Sequence, residues 1–294
     1  MPDAARKTHR IALLALAVVG AAAASLHCTA GSGREQFDRP VDDAGHVDPA
    51  PFEDASTVEP SGDCSEENKQ IFVVSQFNKA LYRFAPESLT FTKIGDIVCP
   101  TGADTESMAI DRKGNAWVEY QDGRMFLVST TDASCKEIPF RNDLSGFRRF
   151  GMGFAKDLEH DSETLYVHGE ALGKIDTTTY ELSLVGSSGL GMAELTGTGT
   201  GLLYAFVVRT GKVVHLDKAT GAVQEQYRTS AVDPQAAWAF AHWGGDFWLF
   251  TGTKSSSVTR YSPKTDTSTV VLPDTGMVIV GAGSSTCAPT EPPR

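Results

Sequence analysis

The segment LYRFAP at residues 81–86 decides the fold, because four variants of it follow along the chain. Each variant is a short apolar run that ends in a turn-forming residue, and the five segments are 81–86 (LYRFAP), 125–130 (MFLVST), 172–177 (LGKIDT), 213–218 (VVHLDK) and 257–262 (SVTRYS). Their apolar anchors are separated by 44, 47, 41 and 45 residues, and these anchors are Phe84, Val128, Ile175, Leu216 and Tyr261. A period of about 40–50 residues is typical of the four-stranded blade of a β-propeller.

A second set of segments is rich in small residues and predicts the inner strand of each blade, where the blades crowd a narrow axis. These segments are 107–110 (SMAI), 151–154 (GMGF), 191–194 (GMAE), 237–240 (AWAF) and 277–280 (MVIV). The first blade lacks an inner strand ahead of it, and the last segment can supply one, which would close the ring and remove two sheet edges. We therefore predict an all-β fold, a five-bladed β-propeller over residues 64–290 with a short tail at 291–294.

The cysteines agree with this closure. Cys64 precedes the first predicted strand and Cys287 follows the last. Cys99 follows the predicted outer strand of the first blade, and Cys135 begins that of the second. We predict the pairs Cys64–Cys287 and Cys99–Cys135, although four cysteines allow three connectivities and the sequence leaves the other two open.

Residues 1–28 have the features of an export signal. Three basic residues precede an apolar run of fourteen, 11–24, and small residues follow it. This run is shorter than the roughly 18 apolar residues that a membrane-spanning helix needs. We expect an exported protein, either an outer-membrane lipoprotein or a periplasmic or extracellular one.

Two processing routes remain open. Residues 25–28 (SLHC) resemble the lipobox of bacterial lipoproteins, in which Cys28 would be acylated. The match departs from that pattern, because Leu26 stands two residues before the cysteine and His27 directly before it. Lipidation of Cys28 would leave four cysteines for two disulfides, as an oxidising compartment favours. The alternative is cleavage near the alanine run without lipidation.

The composition of residues 29–63 predicts a disordered acidic tether. Between residues 31 and 63 there are nine acidic and two basic side chains, with four prolines and two aromatic residues. Such a segment cannot bury enough apolar surface to offset the entropy of ordering it. The whole chain has a net charge of −11 and no basic block, which argues against a nucleic-acid partner. Contact with a membrane is expected only through a lipid anchor.

No catalytic motif is present, and the sequence predicts neither a cofactor nor a metal site. A Gly-x-Ser-x-Gly elbow, a His-Glu-x-x-His zinc motif and a phosphate loop before a helix are all missing. The glycine-rich segment 197–201 (GTGTG) is better interpreted as a hairpin turn. His160 lies in an acidic turn without the spacing of an EF-hand, and His242 follows an inner strand, where packing is the commoner role.

Ligands of propellers usually bind where the loops between blades, and those between second and third strands, surround the channel. The residues predicted to bind there are Glu106, Arg148, Arg149, Glu194 and Trp238. Arginine beside aromatic residues suits carboxylate or glycan recognition. The competing interpretation is that these arginines form salt bridges with acids of neighbouring loops.

The turn 217–221 (DKATG) resembles that of bacterial propellers with an Asp-x-x-Thr-Gly turn. The region 64–290 also resembles the uncharacterised secreted or lipoprotein β-propellers of predatory, myxobacteria-like soil bacteria. The stretches that carry this second resemblance are 107–114 (SMAIDRKG), 193–199 (AELTGTG), 238–241 (WAFA), 243–247 (WGGDF) and 281–289 (GAGSSTCAP). The resemblance implies export and a propeller fold, and it implies no activity.

The sequence accordingly favours a non-catalytic propeller that binds a protein or a glycan at the cell envelope. A lyase or hydrolase of peptidoglycan or polysaccharide is an alternative that rests on fold analogy alone. A structural spacer without a ligand is a third possibility, and it would have a smooth, loop-poor top face.

Overall fold

A computed structural model describes residues 64–230 and 237–293. The predicted export signal at 1–28, the proposed lipidation of Cys28 and the predicted acidic tether at 29–63 lie outside the described residues. Within the described ranges, no helix is long and apolar enough to cross a membrane.

The described residues form twenty β-strands and one short 3-10 helix, Glu67–Lys69. The strands in chain order are β1 (Ile71–Ser75), β2 (Ala80–Ala85), β3 (Thr90–Asp96), β4 (Thr105–Ile110), β5 (Asn115–Tyr120), β6 (Met125–Ser129), β7 (Cys135–Ile138), β8 (Gly151–Lys156), β9 (Glu163–His168), β10 (Leu172–Ile175), β11 (Leu182–Gly186), β12 (Ala193–Gly197), β13 (Leu203–Val207), β14 (Lys212–Leu216), β15 (Val223–Arg228), β16 (Ala237–Trp243), β17 (Asp246–Gly252), β18 (Ser257–Ser262), β19 (Thr267–Leu272) and β20 (Ile279–Ser284).

The chain is a five-bladed β-propeller, as predicted, and each blade is a four-stranded antiparallel sheet. Blade 1 has the order β20-β1-β2-β3, and blades 2 to 5 follow as β4–β7, β8–β11, β12–β15 and β16–β19. Strand β20 pairs with β1 in the register Ile71↔Ser284, so the C-terminal strand closes the ring. The predicted inner segments at 191–194 and 277–280 were placed two residues too early, because β12 begins at Ala193 and β20 at Ile279.

The core lies between neighbouring blades. All five apolar anchors of the repeat, from Phe84 to Tyr261, are at most 2% exposed. Near the axis the inner strands approach so closely that a side chain has no room at some positions. A Cβ atom on Gly151 would lie 2.3 Å from the carbonyl oxygen of Ala193 on the next blade. This contact explains why the inner segments of the sequence are rich in small residues.

Turns between third and fourth strands are closed by side chains. The carboxylate of Asp217 accepts hydrogen bonds from the backbone N–H groups of Ala219 and Thr220, each at 2.9 Å. Gly221 then takes a positive φ of 76°, which glycine adopts without a steric penalty. The resembling Asp-x-x-Thr-Gly segment therefore acts as a local turn.

Both predicted disulfides are present, Cys64–Cys287 and Cys99–Cys135, each with a Cα–Cα distance of 5.4 Å. Two such bonds are typical of an oxidising, exported environment. The first bond joins the two ends of the propeller at the closing blade.

The end of the channel at which the inner strands finish, here called the bottom end, is crossed by the segment after β20. Thr286 donates a hydrogen bond to Glu163 Oε2 at 2.6 Å, and its carbonyl oxygen lies against Gly199. Ser285 donates to the carbonyl oxygen of Asn68 at 2.5 Å. Contacts with blade 3, with blade 4 and with the 3-10 helix before β1 hold this segment across the axis.

Candidate functional site

The top face is formed by the connections between blades and those between second and third strands, and all five inner strands begin there. A pocket of about 310 Å³ occupies the mouth of the channel on this face. Every blade contributes to its wall, through residues that include Val280, Thr105, Gly151, Glu194 and Trp238. Its volume is at the lower end of the roughly 300–1,000 Å³ that small-molecule sites occupy.

Four of the five predicted ligand-binding residues line this one pocket: Glu106, Arg149, Glu194 and Trp238. The fifth, Arg148, does not line the pocket, and its side chain is exposed. The structure therefore separates two arginines that are neighbours in the sequence.

Glu106 and Arg149 form an ion pair across the boundary between blades 2 and 3. Arg149 Nε donates to Glu106 Oε1 at 2.5 Å, and Arg149 Nη2 lies at 2.5 Å from the same oxygen. The Glu106 side chain is 10% exposed, whereas that of Arg149 is 48% exposed. Arg149 thus behaves as the salt-bridge interpretation expected, and its outer surface still faces solvent.

Glu194 projects from the inner strand β12 and is buried. Ser107 on β4 donates a hydrogen bond to Glu194 Oε2 at 2.9 Å. Since these strands belong to blades 2 and 4, which are not neighbours, the bond spans the channel. Burial raises the pKa of Glu194 well above its usual value, and the bond from Ser107 opposes this shift only in part.

A third carboxyl group, Glu119 on β5, was missed by sequence reasoning. It is fully buried, and its Oε2 accepts a hydrogen bond from the backbone N–H of Phe150 at 3.3 Å. Its other oxygen, Oε1, has no hydrogen-bond partner. Burial raises the pKa of Glu119 well above its usual value, and the charges of Glu106 and Glu194 raise it further. The available signal was a single acid inside the otherwise apolar strand NAWVEY.

The remaining wall of the pocket is aromatic, apolar or neutral polar. The aromatic part of the wall comes from Trp238, which is partly exposed, and from Phe150, which is buried. Gln76, Gln121 and Thr253 come from connections between second and third strands and add amide and hydroxyl groups.

Large apolar side chains are exposed on the connections that build the top face. Phe77 is 75% exposed between β1 and β2, and Val98 is 83% exposed between β3 and β4. Leu144 and Met192 are also exposed and lie on connections between blades.

The two fully or nearly buried histidines serve the scaffold. The ring nitrogens of His168 bond to the carbonyl oxygen of Gly169 at 3.1 Å and to the Ser188 hydroxyl at 2.7 Å. His242 packs against Tyr204 and Phe247. Burial lowers the pKa of both histidines to about 4. Among residues 64–230 and 237–293, no three His, Cys, Asp or Glu side chains form a group that could hold a metal ion.

No protein-family model matches the sequence, and no curated protein matches it. Among solved structures, virginiamycin B lyase from Staphylococcus aureus is 12% identical over 67% of this chain and 67% of its own, with a TM-score of 0.41. A streptogramin B lyase structure is 14% identical over 72% and 68%, with a TM-score of 0.40.

A protein of unknown function from Bacteroides thetaiotaomicron is 13% identical over 68% of this chain, with a TM-score of 0.47. The alignment spans 58% of that protein, less than two thirds of its length. At these identities the similarity to all three structures concerns the fold alone and assigns no activity to this chain.

Proposed function

We propose that this chain is an exported, non-catalytic β-propeller that binds a protein or glycan ligand at its top face. One observation carries the proposal: Glu106, Arg149, Glu194 and Trp238, contributed by four blades or the connections before them, line a single pocket at the channel mouth. Concave sites with an aromatic wall and a few convergent polar groups are the usual form of ligand sites. A spacer without a ligand would instead have a top face without such a pocket.

The surroundings of the pocket also support a macromolecular ligand. Phe77 and Val98 expose apolar surface on the loops of the same face. A partner longer than the pocket could bury these side chains while one of its groups enters the channel mouth. Attachment through an acylated Cys28 and an acidic tether would hold the propeller at the envelope, and acylation belongs to the proposal.

The test uses the full-length exported protein on an array of peptidoglycan fragments and envelope polysaccharides. We expect binding that Trp238→Ala reduces by about tenfold or more, since aromatic anchors dominate such sites. Leu158→Ala is the control, because Leu158 is 75% exposed on the connection between β8 and β9, away from the top face. A photo-crosslinker at position 77 tests for protein partners. Binding of neither class by folded protein would contradict the proposal.

A hydrolase or lyase acting on polysaccharide is a second candidate, which Glu194 favours. It lines the pocket and has a raised pKa, as a general acid requires. Incubation of each bound glycan with the protein, followed by mass spectrometry, separates the two candidates. Cleavage that Glu194→Gln abolishes would establish an enzyme, and unchanged glycan would support a binding protein.

A further inference from the structure

The pocket at the channel mouth holds more acidic groups than basic ones. Two carboxyl groups, Glu106 and Glu194, line it, and a third, Glu119, lies close enough to interact electrostatically with both. Arg149 is the one cationic side chain on the described wall. Arg149 forms its ion pair with Glu106, and no cationic side chain among residues 64–230 and 237–293 hydrogen-bonds to Glu119 or Glu194.

A buried hydroxyl on the wall of this pocket has no hydrogen-bond partner in the part of the chain that the structure describes. The Thr105 hydroxyl is fully buried, lines the pocket and makes no hydrogen bond. Glu119 Oε1 is also buried without a partner, although Glu119 does not line the pocket. A buried polar atom without a partner costs about 1–3 kcal/mol, and proteins retain few of them. The Thr105 hydroxyl is satisfied if a ligand brings a hydrogen-bonding group into the pocket.

An ammonium group matches this wall better than other common ligand groups do. It has three N–H donors and no acceptor. Thr105, Glu106 and Glu194 offer three acceptor side chains at the pocket wall. The Trp238 ring on the same wall is the kind of aromatic face that attracts cations. An anionic ligand would meet carboxyl groups and an arginine that is already paired.

The remaining features of the pocket favour a sugar as the carrier of the amine. The flat indole of Trp238 suits the apolar face of a sugar ring. Gln76, Gln121 and Thr253 supply neutral donors and acceptors for ring hydroxyls. A volume of about 310 Å³ admits a compact unit rather than a folded peptide segment.

We propose that the top-face pocket binds a glycan that carries a free amine, a de-N-acetylated amino sugar, with the ammonium held by Glu106, Glu194 and Thr105. This assignment rests on the proposed function, and it narrows the ligand class of the same pocket.

Binding of the amine is coupled to proton release. The groups that act on Glu194 are Ser107 and Glu106 from β4 and Glu119 from β5, and Arg149 before β8 lines the same pocket. Burial raises the pKa of Glu194, whereas an adjacent ammonium favours its ionised form. The ligand therefore displaces a proton, and affinity increases with pH until the amine itself loses its charge.

The experiment compares glucosamine oligomers with N-acetylglucosamine oligomers of equal length, by titration calorimetry on the full-length protein in two buffers of different ionisation enthalpy. We expect the amine form to bind at least about tenfold more tightly, as the loss of a charged hydrogen bond would predict. Proton release should accompany the binding of the amine form alone. Glu194→Gln should remove both the preference and the proton release. Glu163→Gln, which changes a half-buried carboxyl at the bottom end, should retain both.

Other outcomes would contradict the amine assignment, the glycan assignment or the proposed function separately. Equal affinity for the two oligomers would overturn the amine assignment and leave the proposed glycan-binding function intact. Binding of lysine-containing peptides in place of either oligomer would overturn the glycan assignment. If Glu194→Gln fails to fold, Glu106→Gln replaces it and should reduce the preference. Absence of binding by any glycan or protein probe would overturn the proposed function as well.

Discussion

Carboxyl groups shielded from solvent lie at both ends of the channel, and their hydrogen bonding differs between the two ends. At the bottom end, Glu163 accepts the backbone N–H of Arg112 at 2.7 Å with one oxygen and the Thr286 hydroxyl at 2.6 Å with the other. At the top end, Glu119 has one oxygen without a partner, and the nearby Thr105 hydroxyl has none. Burial of an acid therefore does not by itself indicate function. Unmet acceptors beside an open pocket distinguish a ligand site from a structural joint.

The largest expected effect on stability concerns the disulfide Cys64–Cys287 at the bottom end of the channel. The double variant Cys64→Ser/Cys287→Ser should lose about 2–5 kcal/mol of unfolding free energy, because this disulfide closes a far longer loop than the other. The sequence separations are 223 and 36 residues. Loop entropy alone predicts a loss about 1.5 kcal/mol smaller for Cys99→Ser/Cys135→Ser.

Urea denaturation under non-reducing conditions measures both variants. A larger loss for the Cys99–Cys135 pair would show that ring closure depends on the β1–β20 pairing more than on the covalent link.

A second test concerns the close approach of the inner strands at the top end. Gly151→Ala should destabilise the protein by about 1–3 kcal/mol, because its Cβ would collide with the backbone of Ala193. Gly102→Ala is the matched control, since no atom lies within 4 Å of the Cβ it would add. Thermal unfolding followed by circular dichroism gives both values. Equal melting temperatures for the two variants would mean that the blades separate easily at the channel mouth.

The smallest expected effect concerns the pH dependence of Glu163. Burial raises the pKa of Glu163 to about 7. The folded state therefore binds this proton more tightly than the unfolded state, for which the usual value near 4.5 applies. The stabilisation is complete below about pH 4.5 and is lost as the pH rises through about 7.

Glu163→Gln mimics the protonated acid and should remove this loss, so its stability relative to wild type should increase by about 2 kcal/mol from pH 4.5 to 8. The full difference in pKa would give roughly 3 kcal/mol, and solvent screening of this half-buried carboxyl reduces that figure. Denaturation at several pH values measures the difference in unfolding free energy between variant and wild type. His168 and His242 have the opposite pH dependence, and their contributions cancel in this difference because both proteins contain them. A constant difference across that range would show that Glu163 is ionised throughout.

Much of the scaffold follows from local sequence features. The period of the segments from 81–86 to 257–262 predicts the number of blades, because each blade repeats one pattern of strands and turns. The pairing of Cys64 with Cys287 follows from ring closure, since a closed ring must bring its two ends together. The predicted starts of β12 and β20 are less accurate. Gly191, just before β12, adopts a positive φ of 71°, and the carbonyl oxygen of Met277 accepts a hydrogen bond from Ser256 N–H instead of pairing with a strand.

The candidate site was predicted only in part. The sequence placed Glu106, Arg149, Glu194 and Trp238 near the channel mouth, because each lies at the start of an inner strand or just before it. It could not distinguish Arg149 from Arg148, since adjacent residues point in different directions and the partner, Glu106, is 43 residues away.

The blade repeat and the closure of the ring can be derived from the amino-acid sequence, because they depend on periodicity and chain order, whereas three cysteine connectivities stayed open at that level. Only the tertiary structure decided which polar groups share the channel mouth and which of them lack partners. Glu119 became part of that site through packing of blades 2 and 3, when Phe150 was brought against its carboxyl group. Burial and unmet hydrogen bonds arise from neighbours distant in sequence, so no local pattern encodes them.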